Sequence, residues 1–167
     1  LEANIKINMK SLFSIGSDLP SDPRFRRDRL ELNSQERISH TLVCPMAEVW
    51  DEYGMRAIGR LYCEEFHTAC YSAYAYDHTQ VNLARTLTQD GDGYCSFNVI
   101  LRPENLPPEL RANCFEQYDP NYTGPKYMIQ DVDAKTGFNS LCVRVYYYML
   151  EVLLERVGEK GRGTMQQ

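Results

Sequence analysis

Apolar and polar positions alternate along two short stretches, Arg26 to Leu32 and Arg37 to Cys44, with Asn33-Ser34-Gln35 between them. That pattern predicts two strands joined by a hairpin turn. In the second strand Ile38, His40, Leu42 and Cys44 fall on one face, and Ser39, Thr41 and Val43 on the other. Pro45 suits the first turn of a helix. From Met46 to about Tyr76 the period becomes helical. Val49, Tyr53, Ala57 and Leu61 form one stripe, and Cys63, His67, Cys70 and Tyr74 form a second. Gly54 and Gly59 weaken this helix and mark where it can divide in two. Alternation returns over Gln80 to Thr88 and Tyr94 to Leu101, around Gln89-Asp90-Gly91-Asp92-Gly93, a second hairpin. Val81, Leu83, Arg85 and Leu87 share a face of its incoming strand, and Cys95, Phe97, Val99 and Leu101 a face of the outgoing one.

Residues 102–137 hold five of the eight prolines and read as a long irregular connection with one short helix, Pro108 to Gln117. Such connections often form lids or binding loops. Phe138, Leu141, Cys142, Val145, Met149, Val152 and Leu153 mark a final amphipathic helix ending near Gly158. The fold predicted is α+β: an antiparallel sheet of about four strands, built from two hairpins, with helices packed on it. It forms a single domain, 1–167. Within it, 1–23 is a leading segment, 24–101 the hairpins and intervening helices, 102–137 the proline-rich loop and 138–158 the last helix.

Composition narrows the function without naming it. At 167 residues, 43 % hydrophobic and 25 % charged, the chain fits an ordinary globular domain. A formal charge of −5 argues against nucleic acid as partner. No run approaches the ~20 apolar residues that span a bilayer; the best, Val145 to Leu154, is broken by Glu151. Glu2 and Lys6 interrupt the place where a secretory signal would carry its apolar core, and the opening Leu leaves room for a preceding portion. Six cysteines without a CxxC pair exclude a zinc ribbon or thioredoxin-type motif and point to reduced thiols in the cytoplasm. Twelve tyrosines against six phenylalanines bias the rings toward polar tips.

The sharpest chemical feature is the spacing of Cys63, His67 and Cys70 at i, i+4 and i+7, which puts two thiols and an imidazole on one helix face. A thiolate beside imidazole can be a nucleophile with its base. The three can also ligate zinc. Alternatively His67 can activate water, with Glu64 nearby. The same stripe equally describes two small buried hydrophobes and a hydrogen-bonded core histidine. His40 and Cys44 lie about 13 Å apart along their strand, too far to share a ligand directly. Arg85, on an apolar face, needs a carboxylate, either internal or a substrate's; Arg102 invites the same two readings. Asp90-Gly91-Asp92-Gly93 lacks calcium-loop spacing, since Leu101 stands at the twelfth position. Arg24, Arg26, Arg27 and Arg29, interleaved with acids, read as a solvated strand face.

Tyr62-Cys63, Thr86-Leu87-Thr88 and Gly91-Asp92-Gly93-Tyr94-Cys95-Ser96-Phe97, with Cys44-Pro45 upstream, resemble the L-2-amino-thiazoline-4-carboxylic acid hydrolase family over about Cys44 to Pro103. The hairpin ending is also similar, more broadly, to vinyl-reductase-type ligand-binding domains. The first resemblance implies hydrolytic opening of a cyclic amidine ring to a carbamoyl-cysteine. Cys63 and Cys95 match its motif positions, and His67 stands where many relatives carry an acidic residue. On that footing Cys63 and His67 are the catalytic pair, and Arg85, Cys95, His40, Tyr74 and Glu64 surround a small-molecule substrate. Their Cys/His-lined pocket would lie under the 102–137 segment, in a protein that can pair with its own copies. Two alternatives stay open: a non-catalytic small-molecule-binding domain of the vinyl-reductase type, and zinc held by Cys63, His67 and Cys70.

Overall fold

The computed structural model describes residues 4–14, 23–124 and 138–165. Its sheet joins the two hairpins through their second strands. Strands β1 (Arg26–Leu32), β2 (Glu36–Val43), β3 (Gln80–Arg85) and β4 (Cys95–Ile100) run in the order β1-β2-β4-β3, every neighbouring pair antiparallel. The first turn forms because the Asn33 side-chain oxygen accepts from the Gln35 and Glu36 N–H groups, both at 2.8 Å. That is the Asx geometry its sequence favours. The protein is therefore α+β, with an antiparallel four-stranded sheet.

Register decides which face is covered. Ser39 pairs with Phe97, Thr41 with Cys95, and Leu83 with Phe97. Directly opposed residues point the same way, so the polar set of β2 shares a face with the buried side of β4. Ser39 is 1 % and Thr41 6 % exposed, while Ile38, His40 and Leu42 on the opposite face are only partly buried. Between Leu83 and Arg85 the β3 register shifts, and Arg85 pairs with Ser96 rather than continuing the Leu83 row. The irregularity turns Arg85 onto the opposite face, where it is exposed.

The long helical stretch divides at Gly54, giving α2 (Pro45–Glu52) and α3 (Arg56–Ser72), after the short N-terminal α1 (Met9–Ser14). Gly54 takes φ +66°, and its N–H reaches Asp51 O at 3.1 Å, a left-handed helix end that a side chain would strain. Gly59 plays another part. A Cβ there would lie 2.4 Å from Trp50 Cε3, so this glycine seats the α2 indole against α3.

Residues 4–14 of the leading segment pack into the core of the unit that holds the sheet. Lys6 is buried, with its ammonium bonded to Ala112 O and to Asp119 Oδ2 at 2.8 Å. Asn8 donates to Cys114 O at 2.8 Å, and Met9 is fully buried. The proline-rich stretch, as far as residue 124, is not a lid. Its helix α4 (Pro108–Cys114) and the residues beside it put Leu106, Cys114 and Phe115 into one cluster with Met9, Ala75, Val99 and Leu101. The rest of 102–137 lies outside the described residues.

Residues 4–14 and 23–124 belong to one compact unit, and 138–165 to a second. The second holds the predicted final helix, α5 (Phe138–Val157), ended by Gly158 at φ +66°. A short α6 (Lys160–Met165) follows, with Gly161 seated closely on Leu153. Among the described residues no helix is long and apolar enough to cross a membrane.

Candidate functional site

Between α3 and the sheet lies a layer of short polar side chains. Thr41 of β2, Cys63 of α3, Cys95 of β4, and Thr86 and Thr88 after β3 are all buried. The Thr86 and Thr88 hydroxyls are 2.9 Å apart, and Thr88 lies beside the Cys63 thiol. The Leu87 N–H points at Cys95 Sγ from 3.3 Å. Asp92 holds the loop in place by accepting from the Thr86 N–H at 3.0 Å. The other loop acid, Asp90, pairs with the Arg56 guanidinium at 3.0 Å.

Burial pushes the Cys63 thiol up to about 12, helped by Cys95 and Cys44, against the Thr88 hydrogen bond that lowers it. Burial likewise lifts Cys95 to about 11, although the Leu87 N–H pulls the other way. Cys44, at the start of α2, is also raised by burial, opposed by the Ala47 and Met46 N–H groups. These thiols are protonated at neutral pH. No disulfide joins any two of the six cysteines.

His67 stands one turn along α3 from Cys63, among rings. Its imidazole meets Phe97 edge-on at 4.8 Å and stacks on Tyr71 at 6.0 Å, with Phe66 at 5.4 Å. Burial holds it down to about 4, and the guanidinium groups of Arg27 and Arg37 press in the same direction. It is neutral at physiological pH.

The predicted site residues separate into groups. Cys63, His67 and Cys95 come together over β4. His40 lies on the opposite face of the sheet, its ring 4.4 Å from Tyr94, with the Arg85 guanidinium 5.3 Å from the same ring. Glu64 is exposed and paired with Arg60 at 2.8 Å. Tyr74 packs against the Leu106–Phe115 cluster, and burial there, with Cys114 adding, lifts its hydroxyl to about 12. Arg102 is exposed. Among the described residues no three His, Cys, Asp or Glu side chains are grouped to hold a metal ion.

The residues that sequence reasoning passed over are Thr41, Arg27 and Arg37. Arg37, Ser39 and Thr41 alternate along β2, a signal of one polar face, but nothing within the strand says which face is covered. Thr86 and Thr88 sit inside the motif quoted above, unassigned.

No family model, curated protein or solved structure matches the chain. The resemblance to the aminothiazoline-carboxylate hydrolases is carried by its motif residues alone.

The thiols give a direct check. A group near 12 is ionised about three orders of magnitude less at pH 7.5 than an ordinary cysteine, and only the thiolate reacts. Ellman's reagent is expected to modify exposed Cys142 first in the native protein, leaving Cys63 and Cys95 unreacted until denaturant is added. Rapid native labelling of Cys63 contradicts the burial described.

Proposed function

We propose that this chain is a small-molecule-binding domain whose ligand is bound between α3 and the inner face of the sheet. One observation carries the reading. Thr41, Thr86, Thr88, Cys63 and Cys95 are buried where a sheet under a helix ordinarily carries large apolar side chains. Burying hydroxyls costs free energy unless they are partnered, and ligand sites are where proteins converge a few such groups. The neutral thiols and imidazole favour binding over chemistry at neutral pH. Reduced cysteines suit a cytoplasmic setting. Self-association has its material in α5, where Val143, Tyr147, Tyr148 and Val152 stay more than half exposed.

Hydrolytic ring opening of a cyclic amidine is the second reading. It is favoured by Cys63 and His67 standing one turn apart, with the Thr86 and Thr88 hydroxyls beside the Cys63 thiol. In that reading the thiol is the nucleophile and His67 takes its proton, which requires the ligand to raise the basicity of the imidazole.

Amide chemical shifts separate the two. Wild-type protein is titrated with small ring amidines and aromatic acids, 2-aminothiazoline-4-carboxylate included, while product formation is followed in the same samples. Saturable shifts at Thr41, Thr86, Thr88 and Cys95 without turnover are expected. Turnover that is lost in both Cys63→Ala and His67→Ala while binding persists establishes the hydrolase instead. If no compound moves those amides at millimolar concentration, both readings fall.

A further inference from the structure

On the same inner face, toward β1, three guanidinium groups gather. Arg27 stands opposite Thr41 and Arg29 opposite Ser39, and Arg37 lies two residues before Ser39 on the same side of β2. Diagonal neighbours across paired strands are about 7–8 Å apart, within reach of long side chains. The acids of β1 point elsewhere: Asp28 pairs with His40 and Glu31 with Ile38, on the opposite face. No carboxylate among the described residues answers the cluster.

Arg37 is the centre of it. Its Nε is buried without a hydrogen-bond partner, and its guanidinium lies 4.2 Å from the centroid of the Phe13 ring. The charged or ionisable groups that act on it are Arg29 and Arg27, of its own sign, and the Tyr71 hydroxyl. Arg29 donates to Phe13 O at 3.4 Å, and Arg27 stacks on Phe25 at 3.8 Å. Unlike His67, an arginine cannot shed its charge at neutral pH, so a partly buried unpaired one is costly to keep. Beside it lie the neutral imidazole of His67 and the phenol of Tyr71, both able to donate a hydrogen bond.

We propose that Arg37, Arg27 and Arg29, with the Tyr71 hydroxyl, form the anion-binding end of the ligand site and hold an oxyanion group of the ligand, a phosphate or a carboxylate. The inference rests on the ligand-binding reading above and adds the ligand's charge. Two or three guanidinium groups around one position favour a dianion over a single carboxylate, and their forked donors fit paired oxygens.

Thermal unfolding of the whole chain at low salt tests it, with inorganic phosphate and acetate as probes and chloride at matched ionic strength as control. Phosphate at a hundredfold excess over its Kd is expected to raise Tm by roughly 5–10 °C, and acetate less. Arg37→Leu is expected to raise the anion-free Tm by roughly 2–4 °C, because a partly buried charge with like-charged neighbours is removed, and to abolish the phosphate response. Arg37→Lys keeps the charge but loses the fork, and is expected to weaken phosphate at least tenfold. Arg85→Met, on the other face, should leave the response intact. The proposal is overturned if phosphate acts equally on wild type and Arg37→Leu, or if phosphate does nothing and Arg37→Leu lowers Tm. A phosphate-silent protein in which neutral ring compounds still move the Thr86 and Thr88 amides loses the anion site but keeps the ligand-binding reading. If neither probe acts, both are lost.

Discussion

Phe115→Ala is expected to destabilise the protein by about 3–5 kcal/mol, the range for removing a fully buried aromatic ring from a packed core. Phe115 is 0 % exposed and packs in one cluster with Met9, Val99, Leu101, Leu106 and Cys114. That cluster joins the N-terminal segment, the central strand β4 and the proline-rich stretch. The ring therefore ties together three parts of the chain far apart in sequence. Its backbone N–H also closes α4 onto Arg111 O at 2.8 Å, so the residue is fixed at both ends. A loss of this size is a large fraction of the whole stability of a typical domain. Urea titration should show the midpoint fall with an unchanged slope. Tyr118→Ala, at a ring 42 % exposed a few residues on, is the comparison and should cost under about 1 kcal/mol. Were the 102–124 stretch a lid over a pocket, the two substitutions would cost alike and little.

That stretch illustrates where sequence stops being informative. Four strands, the turn at Asn33 and the break at Gly54 are written locally, in alternation, in Asx chemistry and in a glycine that can take positive φ. The helix α1 is not, because six residues are too few to form without tertiary contacts, and those come from Asn113, Cys114 and Ser34. The facing of β2 also escaped. Its more apolar side looks like the core side, yet Ser39 and Thr41 are the buried ones because β4 presents Cys95 and Phe97 in register with them. Arg85 is a third case: the shift that turns it outward is a property of the β3–β4 pairing, which the run Leu83-Ala84-Arg85 does not announce. At the candidate site the helical spacing of Cys63 and His67 was legible, since it depends on one helix. The placing of Thr86 and Thr88 beside Cys63 was not, since it sets the segment after β3 against α3, and the arginine cluster was not, since it needs β1 and β2 side by side.

Between pH 6.5 and about 4 the native protein should lose about 3 kcal/mol of stability through His67 alone. The sign follows from proton counts. The unfolded chain takes up a proton at His67 near its ordinary 6.5, whereas the folded one resists until about 4. Across that window the unfolded state binds more protons, so acid favours unfolding; the contribution is complete above 6.5 and gone below 4. The cause is burial among Phe66, Tyr71 and Phe97, with the Arg27 and Arg37 charges adding to it. His67→Phe puts a ring that cannot protonate into the same aromatic setting, and should flatten the curve in this range while costing little at pH 7. Urea midpoints for both proteins at pH 7, 6, 5 and 4 make the comparison. Parallel curves would mean the imidazole protonates as readily folded as unfolded, which its surroundings do not permit. The same curve reports on the arginines. An anion seated against Arg37 cancels part of the field that keeps His67 neutral and brings its folded value closer to 6.5, so phosphate should make the acid loss smaller and end it at higher pH in wild type, and leave the shape of the His67→Phe curve unaffected. A ligand acting this way would also make the imidazole a better proton acceptor beside Cys63, the change that ring-opening chemistry at this site requires.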